Sequence, residues 1–516
     1  MAGPSVTIYP PGAVPRLADN RFSRLIPSQS IAVVSEFTLE SGVTLKDVSV
    51  GFRTWGRLNQ TKDNVMVICH ALTGSSDVED WWGPLLGPSH AFDPTRYFIF
   101  CANVTGSPYG TASPVTQNPS RTDGGWWGPE FPATTVRDDV RLHKLVLDHL
   151  EVDTVAVVIG GSMGGMAVLE WPLTAPKGYV RNICPIATSA RHSAWGISWG
   201  EAQRQSIYSD PDYESGWYNP DGPGPKRGLS AARMAALLTY RSRDSFESRF
   251  GRKEVDSDSE STKGAGTGVG AKKLAKRLGA VVGRGKVTDA LGLPRTPAER
   301  AEAVHNDGHQ PFAGSSRPAS PPPAPPADAP SSSLPLTPNG DPLPPPSPPS
   351  IFSAQSYLRY QGDKFVSRFD ANCYIHLTRK MDAHDVGRNR PASPPPLSLV
   401  PAGALVIAIS TDGLFTLTEQ RELAASMPDA HLVVIDSPDG HDGFLLEFEQ
   451  INEHVLKFLH DRLPHVYQGE PLVDVGADGT DAETGITGNG TSTGFEVKKA
   501  SLFGEAEGDD QDITRW

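Results

Sequence analysis

Six short apolar runs constrain this chain more than any other feature. MVICHAL (66–72), YFIFCANV (97–104), VAVVIG (155–160), NICPIAT (182–188), ALVIAIS (404–410) and HLVVIDS (431–437) are rich in β-branched residues. Each ends in, or runs straight into, Gly, Ser or Thr. Continuous apolar runs of this length suit strands covered on both faces, as in a parallel sheet. Helical stretches lie between some of them. In residues 136–150, Val136, Val140, Leu147 and Leu150 fall on one helical face. Strand–helix alternation implies a doubly wound α/β fold. Residues 191–390 interrupt it between the fourth and fifth runs. They are rich in helix formers and aromatics, which predicts a helical cap inserted over the sheet.

Composition separates this body from two other segments. Residues 311–350 hold 16 of the 47 prolines. Residues 253–350 as a whole, from KEVDSDSESTKGAGTG to the proline tract, lack the apolar area that offsets backbone ordering, about 1–2 kcal/mol per residue. They read as a disordered insertion within the cap. Residues 466–516 carry eleven Asp and Glu against three Lys and Arg, a net of −8 out of −13 for the chain. They read as a disordered acidic tail. The expected organisation is therefore a core in two parts, 1–190 and 391–465, around a cap at 191–390.

Several function classes drop out. No apolar run approaches the ~18 residues of a membrane-spanning helix. Prolines stand where a signal peptide has its apolar stretch, so a cytoplasmic location is expected. Cys69, Cys101 and Cys184 lie in the apolar runs, which predicts buried free thiols rather than a disulfide framework. The acidic balance, with a pI near 5.6, does not attract nucleic-acid phosphates. GRGKV (283–287) lacks the outer glycine and the Ser or Thr of a phosphate loop. His305 and His309 have no Cys or acid to complete a metal set. The pairs Trp81–Trp82 and Trp126–Trp127 read as packing.

One motif carries chemistry. VAVVIG runs into GGSMGGMAVLEW, so Gly160-Gly161-Ser162-Met163-Gly164 matches G-x-S-x-G between a strand and a helix-forming run. That setting is what a nucleophile elbow requires, and Ser162 is the candidate nucleophile. A serine needs a base, and the base an orienting acid. Asp412 follows the fifth run and His441 the sixth, each at a strand end, in the order Ser, Asp, His. Singly, Asp412 could be a turn residue and His441 a loop residue. Together they read as orienting acid and general base. Acyl transfer also needs donors for a developing oxyanion. The candidates are the backbone N–H groups of Met163, next to the serine, and Leu72, in the loop after MVICHAL.

Longer blocks are similar to a known family. HALTGSSDVEDWWGPLLG, GGSMGGMAVLEW, IATSARHSAWGISWGEAQRQSIYSDP, GLSAARMAALLTYRS, SYLRYQGDKFVSRFDANCYIHLTRKMDAHD and DSPDGHDGFLLE resemble homoserine O-acetyltransferases, the fungal type most closely. The resemblance covers nearly all of 30–250 and 350–460. It implies an α/β-hydrolase fold: a mostly parallel sheet flanked by helices, with a cap, used for acyl transfer. It implies acetyl-CoA as co-substrate with no permanently bound cofactor or metal, and an acetyl-serine that passes its acetyl group to L-homoserine for methionine synthesis. Arg233 and Tyr240 match the family's active-site Arg and Tyr, and Asp442 matches an acid that helps bind substrate. It also implies a homodimer assembled through the cap. The chemistry fits: a guanidinium suits the homoserine carboxylate and an acid its ammonium. Arg233 and Tyr240 are two helical turns apart and can share a face. The insertion and tail are departures from the family pattern. Rival readings use the same serine on L-serine, with a succinyl donor, or on water as an esterase. A non-catalytic interaction protein is a further alternative.

Overall fold

A computed structural model of the chain describes residues 3–253 and 352–472. The phosphate-loop-like segment, His305, His309, the proline tract and most of the acidic tail lie outside the described residues. The chain divides into two compact units. The larger, residues 1–251 with 358–509, contains every side chain of the site described below. In the smaller, residues 252–357 with 510–516, the backbone N–H and the hydroxyl of Ser353 both donate to the Lys253 carbonyl, at 2.8 and 2.7 Å.

The larger unit is built on strands β1 (Val6–Tyr9), β2 (Ser30–Thr38), β3 (Thr44–Trp55), β4 (Val65–Cys69), β5 (Phe98–Ala102), β6 (Val155–Gly161), β7 (Ile183–Ile186), β8 (Leu405–Ile409) and β9 (His431–Ile435). They form one sheet in the order β1-β2-β3-β5-β4-β6-β7-β8-β9. The β1–β2, β2–β3 and β3–β5 pairings are antiparallel; the five others are parallel. All six apolar runs are strands, and they make up the parallel part. The antiparallel edge β1–β3 mixes polar with apolar residues, as a sheet with one wetter face does.

Strand side chains alternate between two cores. Val65, Val67 and Cys69 of β4 face one, Met66 and Ile68 the other; β5 splits likewise, Phe100 and Ala102 against Ile99 and Cys101. β9 departs from the expectation of burial on both faces. It is the sheet edge, and Val434 is 43% exposed.

The helices are α1 (Val78–Trp81), α2 (Val136–His149), α3 (Met163–Thr174), then α4 (Ala194–Tyr208), α5 (Lys226–Tyr240), α6 (Arg243–Arg249), α7 (Ser353–Arg368) and α8 (Ala371–Asp382) between β7 and β8. After β8 come α9 (Leu417–Ser426), α10 (Gly443–Leu446), α11 (Phe448–Arg462) and α12 (Pro464–Tyr467). This is the α/β-hydrolase architecture with a helical cap after β7. Helix α2 opens with a capping box between Thr135 and Asp138. From Met163 to Trp171 helix α3 is apolar but for Glu170, which pairs with Arg137 and Arg390, and is buried, as a helix inside a large core must be. Residues 466–472, assigned to the tail from composition, are structured. Tyr467 stacks on His460 with ring centroids 3.8 Å apart, and Leu472 N–H bonds the Thr95 carbonyl at 2.8 Å.

The four cysteines are free and buried, and burial pushes the Cys69 thiol up to about 12. Trp82 is buried against Phe92 and Phe444, so this tryptophan pair is packing. Among the described residues no helix is long and apolar enough to cross a membrane, and no three His, Cys, Asp or Glu cluster to hold a metal.

Candidate active site

The site forms where β6 stops. Its last residue hands over to Ser162, whose backbone stands at φ 58° and ψ −125°. That left-handed geometry is strained for a residue with a Cβ and projects the side chain out of the turn. The turn is held on both sides. Ser162 N–H donates to the Ile186 carbonyl of β7 at 3.0 Å, and the Ser162 carbonyl accepts from the Thr188 hydroxyl at 2.8 Å. Two glycines are needed by proximity. A Cβ on Gly161 would collide with the Phe444 ring, and one on Gly164 with the Cys69 carbonyl of β4.

The acid and base arrive from the ends of β8 and β9. Asp412 Oδ1 accepts from the N–H groups of Leu414 (2.8 Å) and Phe415 (2.9 Å), which locks the carboxylate plane. Its Oδ2 lies 2.7 Å from His441 Nδ1. His441 Nε2 in turn lies 2.9 Å from Ser162 Oγ. The imidazole is walled by Phe415 and Phe444, with ring centroids at 5.2 and 5.0 Å. All three residues are buried, Ser162 being the most accessible at 6%. The three side chains picked from the sequence therefore form one unbroken chain of hydrogen bonds. Such a chain can deprotonate the hydroxyl and stabilise the imidazolium that results.

Met163 is the first residue of α3, and Leu72 lies in the loop leaving β4; both are buried. The space a Gly164 Cβ would take is bounded by the Cys69 and His70 carbonyls, so this loop lies against the first turn of α3. Among the described residues no acceptor takes a hydrogen bond from the Leu72 or the Met163 N–H. The Met163 N–H follows the nucleophile directly in the chain, and unoccupied backbone donors of this kind are what a developing oxyanion requires.

The cap brings the other candidates. Arg233 is 2% exposed on α5, its guanidinium carbon 5.0 Å from the Phe365 ring and 5.7 Å from the Tyr240 ring. Tyr240 lies 6.1 Å from the His441 ring, centroid to centroid. Asp442 is buried beside His441. Burial pushes its carboxyl up, opposed by Arg241, His441 and Arg233.

The sequence reading missed Arg241. Its Nε approaches Asp442 Oδ2 at 2.8 Å as an ion pair, without the alignment of a hydrogen bond. Its Nη1 bonds Asp439 Oδ1 at 2.9 Å, which also accepts from Ser245 Oγ (2.6 Å) and Arg249 Nη2 (3.0 Å). These bonds tie the histidine loop to α5 and α6. No spacing signal marks Arg241. Only its place directly after Tyr240 hinted at the site.

Known proteins agree with this architecture. The alpha/beta hydrolase fold family matches residues 64–277. Homoserine O-acetyltransferase of Cryptococcus neoformans is 52% identical over 96% of this chain and 97% of its own. That of Emericella nidulans is 50% identical over 96% of each. Among solved structures, homoserine O-acetyltransferase from Bacillus anthracis shares the fold at a TM-score of 0.61, with 18% identity over 89% of this chain and 98% of its own. With half its residues identical to such relatives over almost their whole length, the chain belongs to the homoserine O-acetyltransferase family.

Proposed function

We propose that this enzyme moves the acetyl group of acetyl-CoA to the hydroxyl of L-homoserine through an acetyl-serine at Ser162. The observation that carries the reading is the buried Ser162–His441–Asp412 chain, set in a sequence half identical to homoserine O-acetyltransferases. His441 Nε2 takes the Ser162 proton as Oγ attacks the thioester carbon. The oxyanion is received by the Leu72 and Met163 N–H groups. The tetrahedral species collapses, the C–S bond breaks, and the CoA sulfur leaves with the proton from His441. The homoserine hydroxyl then enters, gives its proton to His441 and attacks the acetyl carbonyl. Collapse breaks the ester bond to Oγ, which recovers the proton and releases O-acetyl-L-homoserine. Asp412 keeps the imidazole in one tautomer and carries no proton itself.

Acceptor selection falls to the cap. Arg233, wedged between Phe365 and Tyr240, is suited to the homoserine carboxylate, and Asp442 to the ammonium group. Tyr240 lines the approach to His441. The aromatic walls of the site limit water around the acetyl-enzyme, which favours transfer over hydrolysis. The enzyme acts as a homodimer through the cap, supported by Trp195 (58% exposed) and Ile197 (37%) on α4. It works in the cytoplasm, in line with its four buried free thiols. No resident cofactor enters these steps.

The test is CoA release from acetyl-CoA with homoserine, with serine, and with no acceptor, then with succinyl-CoA as donor. Release that depends on homoserine and acetyl-CoA is expected. Release with serine but not homoserine, or at the same rate without acceptor, overturns the reading.

A further inference from the structure

The loop that carries Leu72 contains a histidine outside the acid–base chain. His70 is 1% exposed and joins two backbone segments. Its Nε2 accepts the Val104 N–H at 3.1 Å, so the ring proton sits on Nδ1. Nδ1 lies 2.8 Å from the Ala71 carbonyl and donates to it. The Gly74 N–H, 3.0 Å away, donates to the same oxygen. That carbonyl belongs to the Ala71–Leu72 peptide. In a trans peptide the C=O and N–H point in opposite directions, so fixing one end aims the other.

We propose that His70 is a positioning residue for the oxyanion hole: its imidazole clamps the Ala71 carbonyl and so aims the Leu72 N–H at the acyl oxygen. This rests on the acyl-transfer reading above and deepens it.

The partner on the far side is itself anchored. Thr105, next to Val104, donates from its N–H (2.8 Å) and its hydroxyl (2.5 Å) to Asp139 Oδ1. Asp139 Oδ2 is bonded by buried Lys380 of α8, whose Nζ also reaches the Thr105 carbonyl, both at 2.6 Å. The role demands a group that donates and accepts at once, as neutral imidazole does from its two ring nitrogens. Burial pulls the His70 ring down to about 4, so it stays neutral at working pH. A positioned oxyanion donor contributes about 10²–10³-fold to turnover.

The test compares the full-length enzyme with His70→Phe, which fills the space but neither donates nor accepts, and with His70→Gln, which can do both. Four quantities are read: kcat, KM for homoserine, thermal midpoint, and the inhibition constant of ethylboronic acid. That acid forms a tetrahedral adduct on Ser162 whose oxygen occupies the same hole. In His70→Phe, kcat is expected to fall about 10²-fold and boronic acid binding to weaken by a similar factor. KM for homoserine stays within about threefold, and His70→Gln recovers part of both losses. A folded His70→Phe with kcat within threefold of wild type overturns the proposal. So does a loss of kcat with unchanged boronic acid affinity, because a merely structural role would not reach the hole. If His70→Phe does not fold, His70→Asn, too short to bridge Val104 and Ala71, takes its place under the same criteria. Inactive wild type with homoserine defeats the acyl-transfer reading instead, so the two failures are distinct.

Discussion

At the scale of single residues, the site uses strain and exact acceptor geometry together. Ser162 holds a φ of 58°, a conformation that costs a non-glycine residue about 1–3 kcal/mol. Its N–H bond to the Ile186 carbonyl and the bond its own carbonyl accepts from Thr188 hold it there. Asp412 shows why identity matters as well as place. Its Oδ1 is occupied by two backbone N–H groups, so in Asp412→Asn the amide oxygen keeps that position and the NH₂ turns toward His441 Nδ1. The ring proton is then forced onto Nε2, facing Ser162, and the base is lost. Asp412→Asn is expected to lower kcat about 10⁴-fold with the thermal midpoint nearly unchanged. Steady-state CoA release checks it, and a variant within tenfold of wild type refutes the tautomer argument. Ser162, Asp412 and His441 were legible in the sequence because each follows an apolar run. Arg241 was not, since nothing local distinguishes a guanidinium bound to Asp439 and Asp442 from a solvated one.

At the scale of elements, the decisive contact is α3 crossing β4. Gly164 lies so close to the Cys69 carbonyl that the helix and strand backbones touch without an intervening side chain. Gly164→Ala puts a methyl group against backbone that cannot turn away. The expected result is a stability loss of about 1–3 kcal/mol with reduced turnover, since the elbow must move with the helix. Urea denaturation and CoA release measure the two effects; an unchanged denaturation midpoint argues against this close approach. The parallel strands were readable because burial on both faces makes continuous apolar runs. The antiparallel strands β2 and β3 were not singled out. SIAVVSEFT and TLKDVSVGFRTW mix polar residues into the pattern and lack that signature.

At the scale of the whole molecule, α4 leaves Trp195 and Ile197 in solvent, and Trp199 packs on Trp195 with ring centroids 5.8 Å apart. Exposed aromatic surface of this kind is disfavoured unless covered. Sedimentation of the wild type at micromolar concentration is expected to give a dimer, and Trp195→Glu a monomer. A monomeric wild type removes the proposed interface. Composition could set aside the proline tract and the acidic tail, but not the place where the body ends. The stretch 466–472 was given to the tail, yet Tyr467 finds His460 and Leu472 finds Thr95. The buried strands, the elbow, and the order serine, acid, base are written in runs of adjacent residues and can be read from them directly. Which loops meet is set by the folded sheet. His70 faces Val104 across 34 positions because the sheet order lays β4 beside β5, and His441 reaches Ser162 across 279 because β6 to β9 run parallel and bring their ends to the same side of the sheet. Such meetings depend on strand register and helix crossing, which no local pattern encodes.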